Sequence, residues 1–325
     1  MLNRRILRIK AFQALYASVL TKQSDNPMTL VQTQEFLQSS CESTRDLYVL
    51  MLGIISPLTK IASERIDSSL RKINPTEEEK NPNRKFADNA LAQLFDSDPD
   101  FQKIWKKKKF SWAQNDIFLR QILDSVKEKE WFKEYMNAPE SSLKEDCRLF
   151  IKIFEEEFSE NESLYEILEE MSIYWTYDIA YSLTWCCNTL KSIAAGHRWS
   201  LPPLYMSDII ASDPKQGKAV DSDKIFVSRI LMNAFTCYDK YADLAASLVV
   251  GRDKDRLVAT DLCIIVCCLA EVVHIPEIPV SVSMNEWVEI SKFFGTPKSS
   301  QFVNGMIDRI VKQFISDGTI TKDIK

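Results

Sequence analysis

The sequence predicts an all-α protein. Helix-periodic apolar spacing dominates the chain, and 325 residues contain only 7 glycines and 12 prolines, the residues that most often interrupt regular structure. A chain of this length holds one large or two modest domains and can bury a substantial core.

The elements follow in order. A first helix is expected from about Asn3 to Leu20, ending before Ser24-Asp25-Asn26-Pro27. A second falls around Thr29–Ser39 and a third around Ser43–Lys72, with Gly53 and Pro57 marking a kink or break inside the third. The polar, proline-bearing stretch from Asn74 to Lys85 reads as an exposed connection, and Ser212–Asp223 as another. Between them, Ser111–Tyr135, Ser142–Phe158 and Glu162–Ile193 are helical in pattern. Arg256–Val273 is apolar nearly all round, as expected of the central helix of a bundle. Pro276 and Pro279 then impose an extended link. The last stretch, Ser283 to Phe314, reads as a helical hairpin. Gly295 stops its first helix, Pro297 sits in the turn, and Ser299 or Ser300 is placed to cap the second.

Composition narrows the function. The eight cysteines form no Cys-x-x-Cys pair, and the two histidines, His197 and His274, do not complete a zinc set. Buried thiols of a cytoplasmic protein are the expectation, with no metal and no cofactor. The longest strongly apolar run, Leu262–Ala270, is far short of the ~20 residues of a membrane span. The basic N-terminus lacks the pattern of a signal peptide. No glycine-rich phosphate loop, nucleophile elbow or histidine–nucleophile pair is present, so a binding protein is expected and not an enzyme. Acidic runs such as Glu155-Glu156-Glu157 and Glu169-Glu170 read as solvated faces. Net charge is −5, yet residues 1–24 carry Arg4, Arg5, Arg8, Lys10 and Lys22 and no acid. On a helix the three arginines fall within about 100° of arc. A cluster of this kind suits phosphate oxygens and base edges. The Lys106–Lys109 run, set between Trp105 and Phe110-Ser111-Trp112, is a second basic-aromatic cluster; a solvated helix end explains it as well.

Particular residues add a resemblance. Asn285-Glu286, Lys292-Phe293-Phe294-Gly295 and Phe302-Val303-Asn304-Gly305 followed by Asp308 resemble the C-terminal signature of the NusB transcription antitermination family. Arg4-Arg5-Ile6-Leu7-Arg8 and Ala11-Phe12-Gln13-Ala14-Leu15-Tyr16 are similar to that family's arginine-rich first helix. The resemblance implies an all-α fold of two packed helical sub-bundles. It also implies a transcription antitermination factor that binds boxA-type single-stranded RNA together with a small-subunit ribosomal protein (NusE). Such a factor acts in the RNA polymerase elongation complex to promote processive transcription of ribosomal RNA operons. Some family members self-associate, so a homodimer stays open. The family's domain is about half as long as this chain. Residues 1–74 and 223–325 are therefore expected to build it, with 75–222 as a helical insertion. Asp46–Leu70 and Phe226–Leu248 each resemble the family's third helix, which leaves the start of the insertion open.

By the same resemblance, the RNA-facing residues are Arg4, Arg5, Arg8, Gln13, Tyr16, Phe294, Lys298, Ser299 and Phe302. Lys298 departs from the acidic turn common in the family, a change that favours an approaching phosphate chain. Phe302 also begins the apolar stripe of its helix, so a place in the seam fits it equally. Asn285-Glu286 and Asn304-Gly305 are expected to be structural, the glycine implying a closely passing helix. The partner-binding face is expected on Arg256–Val273 and the Pro276–Val280 link. The rival is a protein-interaction scaffold that keeps the fold without binding RNA. An RNA methyltransferase carrying such a domain would need a further cofactor-binding domain.

Overall fold

The computed structural model describes residues 1–139, 141–206, 222–249, 257–296 and 298–322. Regular structure among them is helical, apart from an isolated parallel bridge between Leu2 and Tyr205. The chain divides into two compact units, Met1–Cys41 with Pro203–Lys325, and Glu42–Pro202. The divisions fall after Cys41 and Pro202, earlier at both places than the expected 74 and 222. The expected connection at 212–223 lies outside the described residues up to 221, and Ser222 already opens a helix.

Helix α1 (Arg4–Thr21) begins where the Asn3 side chain accepts the Ile6 N–H at 3.0 Å, satisfying one of the donors that a helix start leaves bare. Helix α2 (Leu30–Leu52) opens on a reciprocal cap. The Gln32 N–H reaches Thr29 Oγ1 at 3.3 Å, and the Gln32 side chain accepts the Thr29 N–H at 2.9 Å. It runs unbroken through the boundary expected at residues 39–43 and ends instead at Gly53-Ile54. Helix α3 (Ile55–Leu70) follows, with Pro57 in its first turn, where a missing N–H costs nothing.

The second unit continues through α4 (Glu77–Lys80), α5 (Ala90–Ser97), α6 (Pro99–Lys108), α7 (Asp116–Glu128), α8 (Glu130–Asn137), α9 (Leu143–Ile153), α10 (Glu162–Met171) and α11 (Ile179–Ala194). Its tryptophans pin the later part of α2. Trp112 donates to the Leu50 carbonyl at 3.0 Å, Trp175 to that of Ser43 at 2.9 Å, and Trp199 to the Tyr48 hydroxyl at 3.1 Å. One acid of the supposedly solvated run is buried: Glu157 lies in a π-helical turn and pairs with Lys129 at 2.9 Å. The stretch Leu30–Leu70 is long and apolar enough to cross a membrane by length and composition alone. However, 72% of its apolar window is buried within the protein, as for a core helix.

The first unit is completed by α12 (Ser222–Thr236), α13 (Tyr238–Leu248), α14 (Ala259–His274), α15 (Val280–Phe294) and α16 (Ser299–Ser316). Helix α14 is the axis of this unit and is packed by α1, α12, α13, α15 and α16. Every residue from Cys263 to Ala270 is fully buried. That confirms its central place and removes it as a partner-binding face, because its middle has no exposed side to offer.

Candidate nucleic-acid interface

The arginine cluster is built into the first unit more deeply than its sequence suggests. Glu271, on the buried axis α14, has no exposed surface, and its carboxylate accepts four hydrogen bonds. Arg8 Nη2 and Ser283 Oγ donate to Oε1 at 2.7 and 2.8 Å; Arg8 Nε and Trp287 Nε1 donate to Oε2 at 2.8 Å each. A buried carboxylate persists only when paired and hydrogen-bonded in this way. Arg8 is accordingly 3% exposed and ties α1 to α14 and α15. Its assignment to RNA contact is corrected: the guanidinium is committed to an internal ion pair and faces no solvent.

The other two arginines are half-exposed. Arg4 pairs with Asp223 at 3.0 Å and lies over the Phe226 ring at 5.0 Å. Arg5 makes a two-pronged bond to Glu286, at 2.9 Å from Nε and 2.7 Å from Nη2. That hydrogen bond holds the Glu286 carboxyl below its ordinary range, and it raises Arg5 in turn. Nη1 of Arg5 remains outside this fork, and half of the side chain stays exposed.

Helices α1 and α15 meet at two places and run in the same sense. Arg5 meets Glu286, and seven residues on along α1 and eight along α15, Phe12 meets Phe294 with ring centroids 5.1 Å apart. On α1, Arg5, Phe12 and Tyr16 fall within about 40° of one another, and Gln13 lies beside them. Phe12 is buried, while Gln13, Tyr16 and Phe294 are half-buried, and Phe12 packs on Tyr16 at 6.0 Å. The exposed aromatic of this neighbourhood is Phe293, 73% accessible, which the sequence reading passed over. Its neighbour Phe294 carried the family signature, whereas Phe293 signalled itself only by falling off the apolar stripe of α15.

Beyond the helix, Gly295 is required by crowding: a Cβ there would lie 2.3 Å from Ser299 Cβ and 2.7 Å from the Ser291 carbonyl. Ser299 is buried. Its hydroxyl accepts the Thr296 N–H at 2.7 Å and donates to Asp261 at 3.0 Å. It therefore holds the turn from inside, and its assignment to RNA contact is also corrected. It is the first residue of α16 and not the residue before it. Lys298 is exposed. Phe302 is half-buried at the start of the seam that continues through Val303, Met306 and Ile307.

Asn304 and Gly305 are exposed, and nothing lies within 4 Å of a Cβ built on Gly305. The expected closely passing helix is absent at this point among the described residues. The glycine instead leaves a bare strip of helix backbone facing outward. Glu286 acts structurally through its pair with Arg5, whereas Asn285 is exposed.

Two contacting helices, a buried ion-pair node and a short glycine turn thus make up an all-helical module. A family model for the NusB family matches residues 197–312. The chain is 33% identical over 115 residues to the transcription antitermination protein NusB of Bacillus pumilus (strain SAFR-032), covering 34% of this chain and 88% of that protein. It is 30% identical over 115 residues to the NusB of Bacillus subtilis (strain 168), covering 34% and 88%. Against the NusB of Methylacidiphilum infernorum (isolate V4) it is 43% identical over 66 residues, covering 20% and 46%. No solved structure matches significantly. The chain belongs to the NusB family. The matched residues include Phe226–Leu248 and exclude Asp46–Leu70, so the family's third helix is the later of the two candidates.

Proposed function

We propose that this chain is a transcription antitermination factor whose first unit binds boxA-type single-stranded RNA together with a small-subunit ribosomal protein (NusE). It would act there as part of an RNA polymerase elongation complex on ribosomal RNA operons. The observation that carries the reading is the pair of contacts, Arg5–Glu286 and Phe12–Phe294, that set α1 beside α15. It gathers Arg5, Gln13, Tyr16 and Phe294 along one edge, and the turn adds Lys298. To these we add Phe293, Asn304 and Gly305 on exposure. In this reading aromatic rings stack bases, Arg5 and Lys298 approach phosphates, and the bare backbone at Gly305 admits a strand closely. On the same reading the second unit, 42–202, would be an insertion separating the N-terminal residues 1–41 from the family-matched residues 197–312. Because Arg4, Arg5 and Arg8 are each paired with a carboxylate, few cations are left to neutralise phosphates and the chain alone should bind RNA weakly. A basic partner would complete the surface.

The same neutralisation favours a second reading, a scaffold that retains the fold without binding RNA. Fluorescence anisotropy with a boxA-like single strand, with and without the ribosomal protein and across a salt series, decides between them. Binding that strengthens with partner, weakens with salt and falls in Arg5→Ala and Lys298→Glu supports the first. No affinity under any of these conditions supports the second.

A further inference from the structure

In the second unit a pocket of about 310 Å³ opens between α3, the segment that follows α4, and the neighbouring parts of α7 and α8. That is at the lower end of the ~300–1,000 Å³ of small-molecule sites. Ile66, Phe86, Phe132 and Met136 supply its apolar lining, and these walls are fixed. Phe86 and Phe132 are buried and meet edge to face at 5.4 Å, and Phe86 also lies on Phe150 at 5.8 Å. Asn83 donates to the Met136 carbonyl at 2.7 Å and Lys85 Nζ to that of Ala138 at 2.9 Å. The segment after α4 is therefore pinned to the end of α8, and the pocket is held open without a ligand.

Charge decides what such a pocket suits. Its ionisable lining is two cations, Arg65 and Lys127, against one carboxylate, Glu79. That carboxylate is already occupied, because it accepts the Lys72 ammonium at 2.5 Å and the Thr76 N–H at 2.9 Å. Arg65 places both terminal nitrogens on Asp124, with Nη2 3.1 Å from Oδ2, and keeps Nε. The Lys127 ammonium has no hydrogen bond or ion pair among the described residues. Partial burial first, and Arg65 second, hold it below the ordinary lysine range, while Asp124 pulls the other way. An anion from outside would offset both penalties. The lining groups still free to bond, Lys127 Nζ, Arg65 Nε and the Ser69 hydroxyl, can all donate. One uncommitted ammonium matches a single negative charge, and a dianion such as inorganic phosphate would leave charge unpaired against apolar walls.

We propose that this pocket binds a small monocarboxylate, its carboxylate on Lys127 with Arg65 beside it, and its apolar body against Phe86, Phe132 and Met136. The second unit then carries a small-molecule site of its own. No residue of the first unit takes part, so this site and the RNA reading fail separately.

The test titrates the full chain into para-fluorobenzoate and follows the fluorine resonance, which broadens and shifts on binding. Lys127 is exposed and holds no hydrogen bond, so Lys127→Gln should melt with the parent chain and report on binding alone. The proposal expects saturable binding that hexanoate displaces and that neither hexanol nor inorganic phosphate does. Binding should be at least about tenfold weaker in Lys127→Gln and stay within about threefold of the parent in Lys127→Arg, as for a hydrogen bond to a charged group. Hexanol that displaces as well as hexanoate removes the ion pair, and phosphate that does so removes the apolar contact; either result overturns the proposal. Binding unchanged in Lys127→Gln puts the acid elsewhere and overturns it too, as does the lack of any saturable binding.

Discussion

Replacing Arg8 by Met should damage the fold and leave the proposed RNA recognition intact. The substitution keeps most of the side-chain volume but strips the counter-charge from Glu271, which has no exposed surface and receives half of its four hydrogen bonds from Arg8. Breaking a buried pair from one side costs ~3–5 kcal/mol, because the remaining charge is left uncompensated. At an m-value of about 2 kcal/mol/M in urea, the midpoint should fall by roughly 1.5–2.5 M. Adding Glu271→Gln should return most of that loss. The amide removes the buried charge, its oxygen still accepts the Trp287 N–H, and its NH2 can donate to Ser283. Urea denaturation with pulsed hydrogen exchange of the 4–21 peptide reads the first unit alone, and the four proteins form a double-mutant cycle. A single variant that loses less than about 1 kcal/mol, or a double variant whose losses simply add, would refute the buried-pair account. So would a drop in RNA affinity of the folded Arg8→Met protein, since a side chain 3% exposed cannot touch a strand.

Two carboxylates of the first unit should titrate with opposite consequences. Glu286 is held low by Arg5, so its stabilisation is present above the unfolded carboxylate range and is lost as pH falls through the lower folded value. Asp261 is raised by burial and has a buried Oδ1 without a hydrogen-bond partner, so its ionisation weakens the fold as pH rises from about 4. Asp261→Asn should therefore raise the melting temperature at pH 7 and remove that part of the pH slope, whereas Glu286→Gln should lower stability at pH 7 and flatten the acid limb. Gly295→Ala forces a Cβ against Ser299 and the Ser291 carbonyl and should cost about 1–3 kcal/mol in thermal or urea denaturation. Gly305→Ala meets open space within a helix and should instead stabilise by about 0.5–1 kcal/mol. If a strand passes over that backbone, the same variant should bind RNA more weakly, and unchanged affinity would remove Gly305 from the interface.

The helical class and the central place of α14 were legible because both rest on local periodicity, which α14's uninterrupted apolar surface states without ambiguity. The break at Gly53 was legible for the same reason, while the joint expected at residues 39–43 was not there, since Ser40, Cys41 and Thr44 are buried within one continuous helix. The site was half legible. Side-chain type placed the arginines at one end of α1, but whether a guanidinium faces water depends on a carboxylate 263 residues away, and periodicity carries no information at that range. Arg8 and Ser299 were drawn inward by Glu271 and Asp261, and Gly305 was left outside by the lack of a neighbour. Each is a tertiary fact.

The bond between Arg8 and Glu271 also sets an order of events during synthesis. At ~5–20 residues per second, the 263 residues between them take roughly 13–50 s to emerge. Throughout that interval the second unit, continuous from 42 to 202, can complete its own core, whereas α1 waits without the axis it packs on. The nascent chain therefore carries a helix whose arginines still lack their later partners Asp223, Glu286 and Glu271. Maturation of the first unit includes the pairing of Arg8 with Glu271. A slowed or stalled ribosome would prolong the basic state, and release of the finished chain would end it.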